Sequence, residues 1–266
     1  MFSIILLITK NGALFFINLM QMMKCSKYLF YFLWLLGTIF SVKAENSQQM
    51  LLDSLHSVLE NQKGGEHIHT LLLIADAYSE SDKVSALKYV NDALKLSVSS
   101  SDKLSMANCY QRLGAYSYAR EKYDKSLYYS NEALKYYLQI GALDYLSAVY
   151  LDKALVYSRI GQLDSAHYFN QASLAQAQQI YDTLFQVKSL RSIGNIYYKQ
   201  GQAEQALKNF HQALALSKHS NLCCTEQSML YNNLGVLFSD WQEFDKSLAY
   251  YRKALEIADS LGSMEE

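Results

Sequence analysis

Proline is absent from the 266 residues, and the charges nearly cancel, with 25 Asp and Glu against 24 Lys and Arg. A proline inside a helix costs about 3 kcal/mol, so its absence is typical of a chain built from uninterrupted helices. A near-zero net charge also lacks the excess of Lys and Arg that neutralises nucleic acid phosphates. The composition therefore predicts a helical protein that does not bind nucleic acid through this segment.

Motifs of catalysis and cofactor binding are missing as well. The sequence contains no nucleotide-binding loop, no nucleophile elbow and no metal-protease helix. His67 and His69 lie two residues apart, which on a helix places them on different faces, so they do not form a metal-ligand pair. We predict that the chain is not an enzyme and binds neither a cofactor nor a metal.

Cysteine is scarce, with four residues in the chain. The adjacent Cys223 and Cys224 have two interpretations, as small buried thiols or as a redox pair in an oxidising compartment. Cys109 lies in the body of a predicted helix, two repeats away. The sequence leaves the redox state of the adjacent pair open.

Residues 1–44 are apolar without helical periodicity. Lys24 and Lys27 precede an apolar run over 28–40, and Val42 and Ala44 are small residues at the positions that a signal peptidase reads. The 13-residue run is shorter than the roughly 20 residues that span a bilayer. We predict an exported protein of the periplasm or cell envelope, cleaved after Ala44. The alternative is an uncleaved segment that tethers the chain to the membrane.

The segment 1–19 fits no part of such a signal. Met20, Met22 and Met23 are each better starts, so an upstream start codon is predicted to be misassigned. Cys25 precedes the apolar run and is therefore not placed for lipid attachment at a cleavage site.

The stretch over 190–214 has the pattern of two short helices that pack closely around a turn at Gly201. Its small residue Ala206 belongs to a column that recurs at spacings of 40, 40, 40 and 41 residues: Ala86, Ser126, Ala166, Ala206 and Ser247. A fixed period in this range indicates a solenoid of repeated helix pairs.

Two further columns of small residues support close contact between paired helices. One falls once per first helix, at Gly114, Ala154, Gly194 and Gly235, and one falls once per second helix, at Ala93, Ala133, Ser173, Ala213 and Ala254. Small residues let two helix backbones approach, and the leucine that follows each member of the second column fills the layer between repeats.

The predicted domain organisation follows from this period. A capping helix over 45–65, ended by Gly64 and Gly65, precedes five repeats at 66–101, 102–141, 142–181, 182–222 and 223–262. The first helices are predicted over 68–79, 102–120, 143–160, 182–200 and 225–240, and the second helices over 84–98, 124–140, 164–181, 204–219 and 245–261. Ser263 to Glu266 has the form of a capping box, which predicts the start of a sixth, truncated repeat.

These units resemble tetratricopeptide repeats, best at 190–214 and 231–255. The resemblance implies an all-α fold, a right-handed superhelix of about five helix pairs, and protein binding without catalysis. The period exceeds the roughly 34 residues of a standard unit, which indicates a long-period variant. Ile74 stands where glycine or alanine is expected. A HEAT or armadillo array has a similar period and is the alternative, although paired small columns favour tetratricopeptide units.

The resemblance also implies a partner-binding concave face formed by the first helices. The residues that match its positions are Asn108, Gln111, Tyr118, Arg159, Lys188, Arg191, Asn195, Tyr198, Lys199 and Asn232. The four cations among them favour a protein or peptide segment of acidic character. Arg191, Asn195 and Asn233 also match a clamp for a terminal carboxylate, although the third repeat that such a clamp requires is missing.

Two functions fit these features. The leading hypothesis is the periplasmic sensing domain of a bacterial signalling protein, of the histidine kinase or transcriptional regulator type, that is cut short at its C-terminus. The alternative is a free-standing envelope scaffold without an effector domain. An uncovered apolar face at Leu248, Tyr251 and Leu255 would further favour end-to-end self-association.

Export gives the first testable prediction. The intact mass of the protein recovered from the cell envelope should correspond to a chain that begins at Glu45, because the residues before it form the cleavage site. A mature protein that still contains Trp34 would contradict cleavage, and recovery in the membrane fraction would then favour the tether.

Overall fold

The computed structural model describes residues 48–79, 81–219 and 224–262. The chain divides into two compact units, Met1–Glu60 and Asn61–Glu266. In the first unit, residues 48–60 form helix α1. Three predictions fall outside the described residues: the signal segment, the proposed role of Cys223 in the cysteine pair, and the sixth repeat at 263–266.

The described part of the second unit is a series of helix pairs. The first helices are α2 (Gly64–Tyr78), α4 (Lys103–Ala119), α6 (Leu146–Arg159), α8 (Thr183–Lys199) and α10 (Cys224–Asp240). The second helices are α3 (Lys83–Ser99), α5 (Tyr123–Ile140), α7 (Leu163–Gln179), α9 (Ala203–His219) and α11 (Phe244–Gly262). The all-α solenoid predicted from the period is therefore confirmed.

Two predicted boundaries were wrong. Gly64 and Gly65 do not end α1; they form the first residues of α2, and Gly64 makes the turn into that helix with a φ of +63°. The first helix of the third repeat does not begin at Leu143, because Leu143–Tyr145 forms a 3-10 turn before α6. Such a turn is a common way to tighten a helix terminus.

The turns between helices use one recurring device, a residue in the left-handed region. Gly141, Gly161 and Gly201 have φ angles of 68°, 81° and 74°. The same position is filled elsewhere by residues that carry a side chain: Ser101, Glu121, Tyr181 and Gln242. The following amide closes the turn, as where the Gln162 N–H donates to the Tyr157 carbonyl at 2.9 Å. This is the Schellman arrangement that satisfies the carbonyls at a helix end.

Acidic side chains start many of the helices. Asp102 and Asp182 cap α4 and α8, accepting hydrogen bonds from the Ser105 and Phe185 amides at 3.1 and 3.0 Å. Asp82 caps α3 in the same way, which the sequence pattern missed, and the hydrogen bond from the Ser85 hydroxyl lowers the pKa of its carboxyl group. Side-chain oxygens here satisfy amides that have no partner within the helix.

The two helices of a pair fit by reciprocal side-chain size. A Cβ atom added to Gly194 would lie 2.5 Å from the Phe210 ring, and one added to Gly235 would lie 2.6 Å from the Tyr251 ring. Where the second helix carries Ser130 instead, a Cβ atom at Gly114 would lie 3.3 Å from its hydroxyl. At these two sites a large ring on the second helix lies directly against a glycine of the first helix.

The layers of the solenoid follow from which helices touch. From α2 onward each helix packs on the next in sequence, and successive first helices also contact one another: α2 with α4, α4 with α6, α6 with α8, and α8 with α10. We call the surface along these contacts between first helices the inner face. It corresponds to the predicted concave face.

The α11 end of the array carries apolar side chains that are covered elsewhere. Leu255 is 60 % exposed and Tyr251 is 36 % exposed, whereas Leu214 and Phe210 at the matching positions of α9 are 6 % and 1 % exposed. Leu248 is 50 % exposed. The apolar face that the sequence predicted is therefore present in the described residues.

The core of the third repeat is more polar than its neighbours. Lys153 is 7 % exposed and lies in register with Leu113, Ile193 and Leu234; its amino group is 4.0 Å from the Phe169 ring centroid. Burial lowers the pKa of this amino group. The buried Ser147 hydroxyl and Asn170 side-chain carbonyl have no hydrogen-bond partner, a condition that costs about 1–3 kcal/mol per group.

None of the helices in the described ranges combines the length and the apolar character needed to cross a bilayer.

The left-handed turn position gives a prediction about stability. Tyr181 is 87 % exposed and has a φ of 58°, so Tyr181→Gly should remove backbone strain and stabilise the fold by about 0.5–1 kcal/mol. Gly141→Ala, at the matching position one repeat earlier, should destabilise it by about 1 kcal/mol. Urea denaturation of both variants measures these changes.

Tyr181→Ala is the matched control, because it removes the side chain and keeps the strained backbone. If Tyr181→Ala stabilised the protein as much as Tyr181→Gly, the side chain rather than the backbone would be responsible.

Candidate partner-binding face

The C-terminal ends of the first helices are joined by a ladder of three polar contacts. The Tyr118 hydroxyl accepts a hydrogen bond from Arg159 Nε at 2.8 Å, and the Ser158 hydroxyl accepts one from Lys199 Nζ at 2.8 Å. The Tyr198 hydroxyl donates to Asp240 Oδ2. Each contact joins residues 41 or 42 positions apart, so an equivalent contact recurs from one repeat to the next.

A second cluster lies nearer the middle of the first helices. The Tyr137 hydroxyl from α5 is 2.6 Å from Asn108 Oδ1 and 3.0 Å from Gln111 Oε1, and it can donate its single proton to one of them at a time. Gln111 Nε2 in turn donates to Asp152 Oδ2 of the next repeat at 3.1 Å. Asn108 and Gln111 are therefore held in a network that links α4, α5 and α6.

Burial sets the protonation of this cluster. Desolvation raises the pKa of the Asp152 carboxyl group to about 6, although the Gln111 hydrogen bond and the charge of Lys188 oppose the shift. Desolvation also raises the pKa of the Tyr137 hydroxyl well above its ordinary value. Tyr137 therefore stays protonated as a donor, and Asp152 changes charge near neutral pH.

Two of the predicted cations share one carboxylate. Glu226, in the first turn of α10, is 6 % exposed. Its Oε2 atom is 3.1 Å from Arg191 Nε, and its Oε1 atom is 4.0 Å from Lys188 Nζ. The buried negative charge is thus matched by two positive charges from α8, which a buried carboxylate requires.

The remaining predicted residues lie at the α10 end of the inner face. Asn195 Oδ1 accepts a hydrogen bond from Asn233 Nδ2 at 3.0 Å. Asn232 is exposed and lines an open depression of about 460 Å³ together with Arg191, Asn233 and apolar residues of α11. The three residues matched to a carboxylate clamp therefore make lateral contacts with the next repeat, Arg191 through Glu226, and Asn195 and Asn233 through each other.

The structure places nine of the ten predicted residues in contacts that join helices within or between repeats, with Asn232 exposed. Sequence matching found most of the amide members and several of the hydroxyl and basic members of these contacts, but not the hydroxyls of Tyr137 and Ser158 or the guanidinium of Arg112. It missed the acidic members: Asp76, which pairs with Arg112 at 2.8 and 2.6 Å, and Asp152, Glu226 and Asp240. A search for opposite charges slightly less than one period apart would have found Asp76 and Glu226, since each pairs with a base in the neighbouring repeat.

No group of His, Cys, Asp and Glu in the described ranges is arranged to hold a metal ion. His67 Nδ1 lies 3.2 Å from the Gln62 carbonyl oxygen. Cys109 is buried as a free thiol, and burial raises its pKa to about 12. This cysteine therefore behaves as a packing residue and not as a reactive thiolate.

Comparison with known proteins identifies the repeat type. The tetratricopeptide repeat family matches residues 185–260. Transcriptional activator NprA of Geobacillus stearothermophilus is 27 % identical over 150 residues, covering 55 % of this chain and 36 % of that protein. The uncharacterized protein ycf37 of Cyanophora paradoxa is 26 % identical over 102 residues, covering 38 % of this chain and 58 % of that protein. The chain therefore spans less than two thirds of the length of these relatives.

Solved structures share the architecture at low sequence identity. BtubC (BKLC) from P. vanneervenii superposes with a TM-score of 0.66 at 17 % identity, covering 82 % of this chain and 90 % of that chain. A Rap protein complexed with Competence and Sporulation Factor gives 0.69 at 14 % identity, covering 79 % and 59 %. Aspartyl phosphate phosphatase F from Bacillus subtilis gives 0.65 at 18 % identity, covering 73 % and 51 %. At these identities the likeness shows the fold and carries no activity across.

Asp152 gives a prediction about pH. The folded protein holds the Asp152 proton more tightly than the unfolded chain does, so the stability contributed by this group falls as the pH rises from about 4 to 6. Asp152→Asn removes the partly buried charge and can still accept the Gln111 hydrogen bond. The variant should match the parent near pH 4 and exceed it by about 1–3 kcal/mol above pH 7. Urea denaturation across this range measures the difference.

Asp259→Asn, at an exposed position of α11, is the matched control and should leave the pH profile unchanged. Parallel profiles for Asp152→Asn and the parent would contradict the raised pKa of the Asp152 carboxyl group.

Proposed function

We propose that this tetratricopeptide-type helical repeat protein is an exported interaction scaffold, the periplasmic sensing domain of a bacterial signalling protein of the histidine kinase or transcriptional regulator type. The observation that carries the proposal is the inner face itself, where polar side chains from successive first helices converge along the array. Such a surface suits an extended or helical protein segment.

The sensing role has two kinds of support. The charged, apolar and small-residue pattern over 24–44 is that of an export signal. Among the similar proteins, one is a transcriptional activator and another was solved in complex with Competence and Sporulation Factor. Both names favour regulation through a bound protein or peptide over a purely structural role.

The partner is proposed to carry acidic groups. Arg159 and Lys199 are exposed at the ends of α6 and α8, and their contacts are to neutral hydroxyl groups, so their charges are not neutralised by those contacts. Lys188 and Arg191 together supply two positive charges to the single carboxylate of Glu226. A carboxylate of a partner would therefore meet a local excess of positive charge near α8.

The acidic preference is local. Asp76 and Asp240 lie in the same layer of first helices, paired with Arg112 and Tyr198. Asp152 adds a negative charge above its pKa of about 6. Recognition is therefore proposed around α6 and α8, where the exposed cations are, and not uniformly along the inner face.

The second candidate is a free-standing envelope scaffold without an effector domain. The exposed apolar side chains of Leu248, Tyr251 and Leu255 favour it, since an uncovered face of this kind associates with another protein surface. Sequencing the gene past Glu266 separates the two. A downstream membrane segment with a kinase or DNA-binding domain supports sensing, and a stop codon after one more polar helix supports the scaffold.

The proposed binding of acidic partners to the inner face gives a prediction. Lys188→Ala together with Arg191→Ala should weaken the binding of an acidic partner at low salt on the order of tenfold or more, because charge-assisted contacts contribute roughly 1.5–3 kcal/mol each. The variant leaves the buried Glu226 carboxylate without its cations and should be less stable, so binding is compared under conditions where circular dichroism shows that both proteins keep their helix content. Added salt should narrow the difference between parent and variant, since screening weakens exposed charge contacts.

Lys208→Ala together with Lys253→Ala is the control, because both lysines are exposed on second helices. If a partner captured from the cell envelope bound the Lys188 and Arg191 variant as well as the parent, and the control substitutions were the ones that weakened it, the inner face would not be the binding surface.

A further inference from the structure

The contact between Glu226 and the two α8 cations is specific to one joint of the array. At the positions in register with Glu226, the earlier repeats carry Phe185, Tyr145 and Ser105, none of which is acidic. The position in register with Lys188 holds Asn108, Ala148 or Met229, and that of Arg191 holds Gln111, Leu151 or Asn232. The other joints form without this ion cluster, so the fold as such does not require it.

The same two cations are the ones that an acidic partner would use. Lys188 and Arg191 side chains are 30 % and 24 % exposed, so a ligand on the inner face can reach them, whereas the Glu226 side chain is 8 % exposed. Glu226 therefore presents a carboxylate to the cations from within the protein. A carboxylate of a partner would have to share these cations with it or replace it.

The position of Glu226 in α10 makes replacement feasible. Glu226 lies in the first turn of the helix, which begins at Cys224. Residues at a helix terminus lack some of the backbone hydrogen bonds of the helix interior, so that turn rearranges at a lower free-energy cost. The contact to Lys188 at 4.0 Å is also the longer of the two, and it is the first that a competing carboxylate would replace.

We propose that Glu226 is an internal competitor that occupies the cationic site of the inner face and sets the affinity for acidic partners. The inference rests on the proposed function, because it assumes that Lys188 and Arg191 bind a carboxylate of the partner. It adds a selection rule: a single weak acid does not displace Glu226, whereas a segment with several neighbouring carboxylates does.

The test uses a fluorescently labelled peptide of consecutive glutamates with an amidated C-terminus, titrated with the protein and followed by fluorescence anisotropy at low salt. Glu226→Gln should bind the peptide about tenfold more tightly than the parent, since it removes the competing charge and keeps a side chain of the same size. Glu226→Asp, which keeps the charge on a shorter side chain, should lie between the two. It also provides a second readout if the Gln variant folds poorly.

Two further variants locate the effect. In a protein that already carries Lys188→Ala and Arg191→Ala, adding Glu226→Gln should not raise the affinity for the peptide, because the cations that this substitution releases are absent. Glu256→Gln removes the same charge from an exposed position of α11 and should change the affinity by less than about twofold, since screening limits distant charges.

The outcomes separate this inference from the proposed function. Suppose that the Lys188 and Arg191 variant no longer binds the peptide but Glu226→Gln binds it no more tightly than the parent. The preference of the inner face for acidic partners is then supported, and the role of Glu226 as a competitor is wrong. If Glu226→Gln raised the peptide affinity equally with and without the two cations, the competitor role would also be wrong, because the substitution would then act through long-range charge and not through Lys188 and Arg191. If no variant binds the peptide, including Glu226→Gln, both the acidic preference and the competitor are wrong.

Discussion

Close approach of the two helices in each repeat is the constraint on which the rest of the structure depends. Gly194 and Gly235 lie where any Cβ atom would collide with Phe210 and Tyr251. Polar groups also join the paired helices, as where the Ser126 hydroxyl donates to the Gly114 carbonyl at 2.9 Å. Ser247 and Gly235 repeat that bond at 2.8 Å. Interiors at this packing density tolerate little change in volume, so each pair fixes the distance at which the next helix can be added.

This constraint explains why the fold was predictable from the sequence while parts of the site were not. The repeat period and the columns of small side chains are local patterns, and they located most of the helices closely. The left-handed turns at Glu121, Tyr181 and Gln242 escaped notice because only glycine signals that conformation by its identity. Glu226 escaped for a different reason: its partners on α8 lie less than one full period earlier in the chain, and a spacing shorter than the period does not match any column.

The third repeat shows that the pattern leaves room for departures. Lys153 and Asn170 occupy positions that are filled by Ile193 and Phe210 in the fourth repeat, and Ser147 replaces Val187. Part of the polarity is compensated, since the Ser173 hydroxyl donates to the Ser147 carbonyl and the Ser189 hydroxyl to Ser173, both at 2.8 Å. The unpartnered groups on Ser147 and Asn170 are not compensated within the described residues, so the core of the third repeat carries an uncompensated polar cost.

The proposed function would give the polar side chains of the inner face two roles that are in tension. Tyr118, Tyr198 and Asn195 hold adjacent first helices together, so a partner that binds these groups also alters the contacts that set the spacing of the repeats. Binding and the geometry of the array are then coupled, because a ligand shifts a conformational equilibrium by the difference in its affinity for the two arrangements. In a solenoid, where each repeat contacts only its neighbours, a change at one joint rotates everything beyond it. Under the proposed function, a partner bound at α6 and α8 would in this way change the position of α11 without touching it.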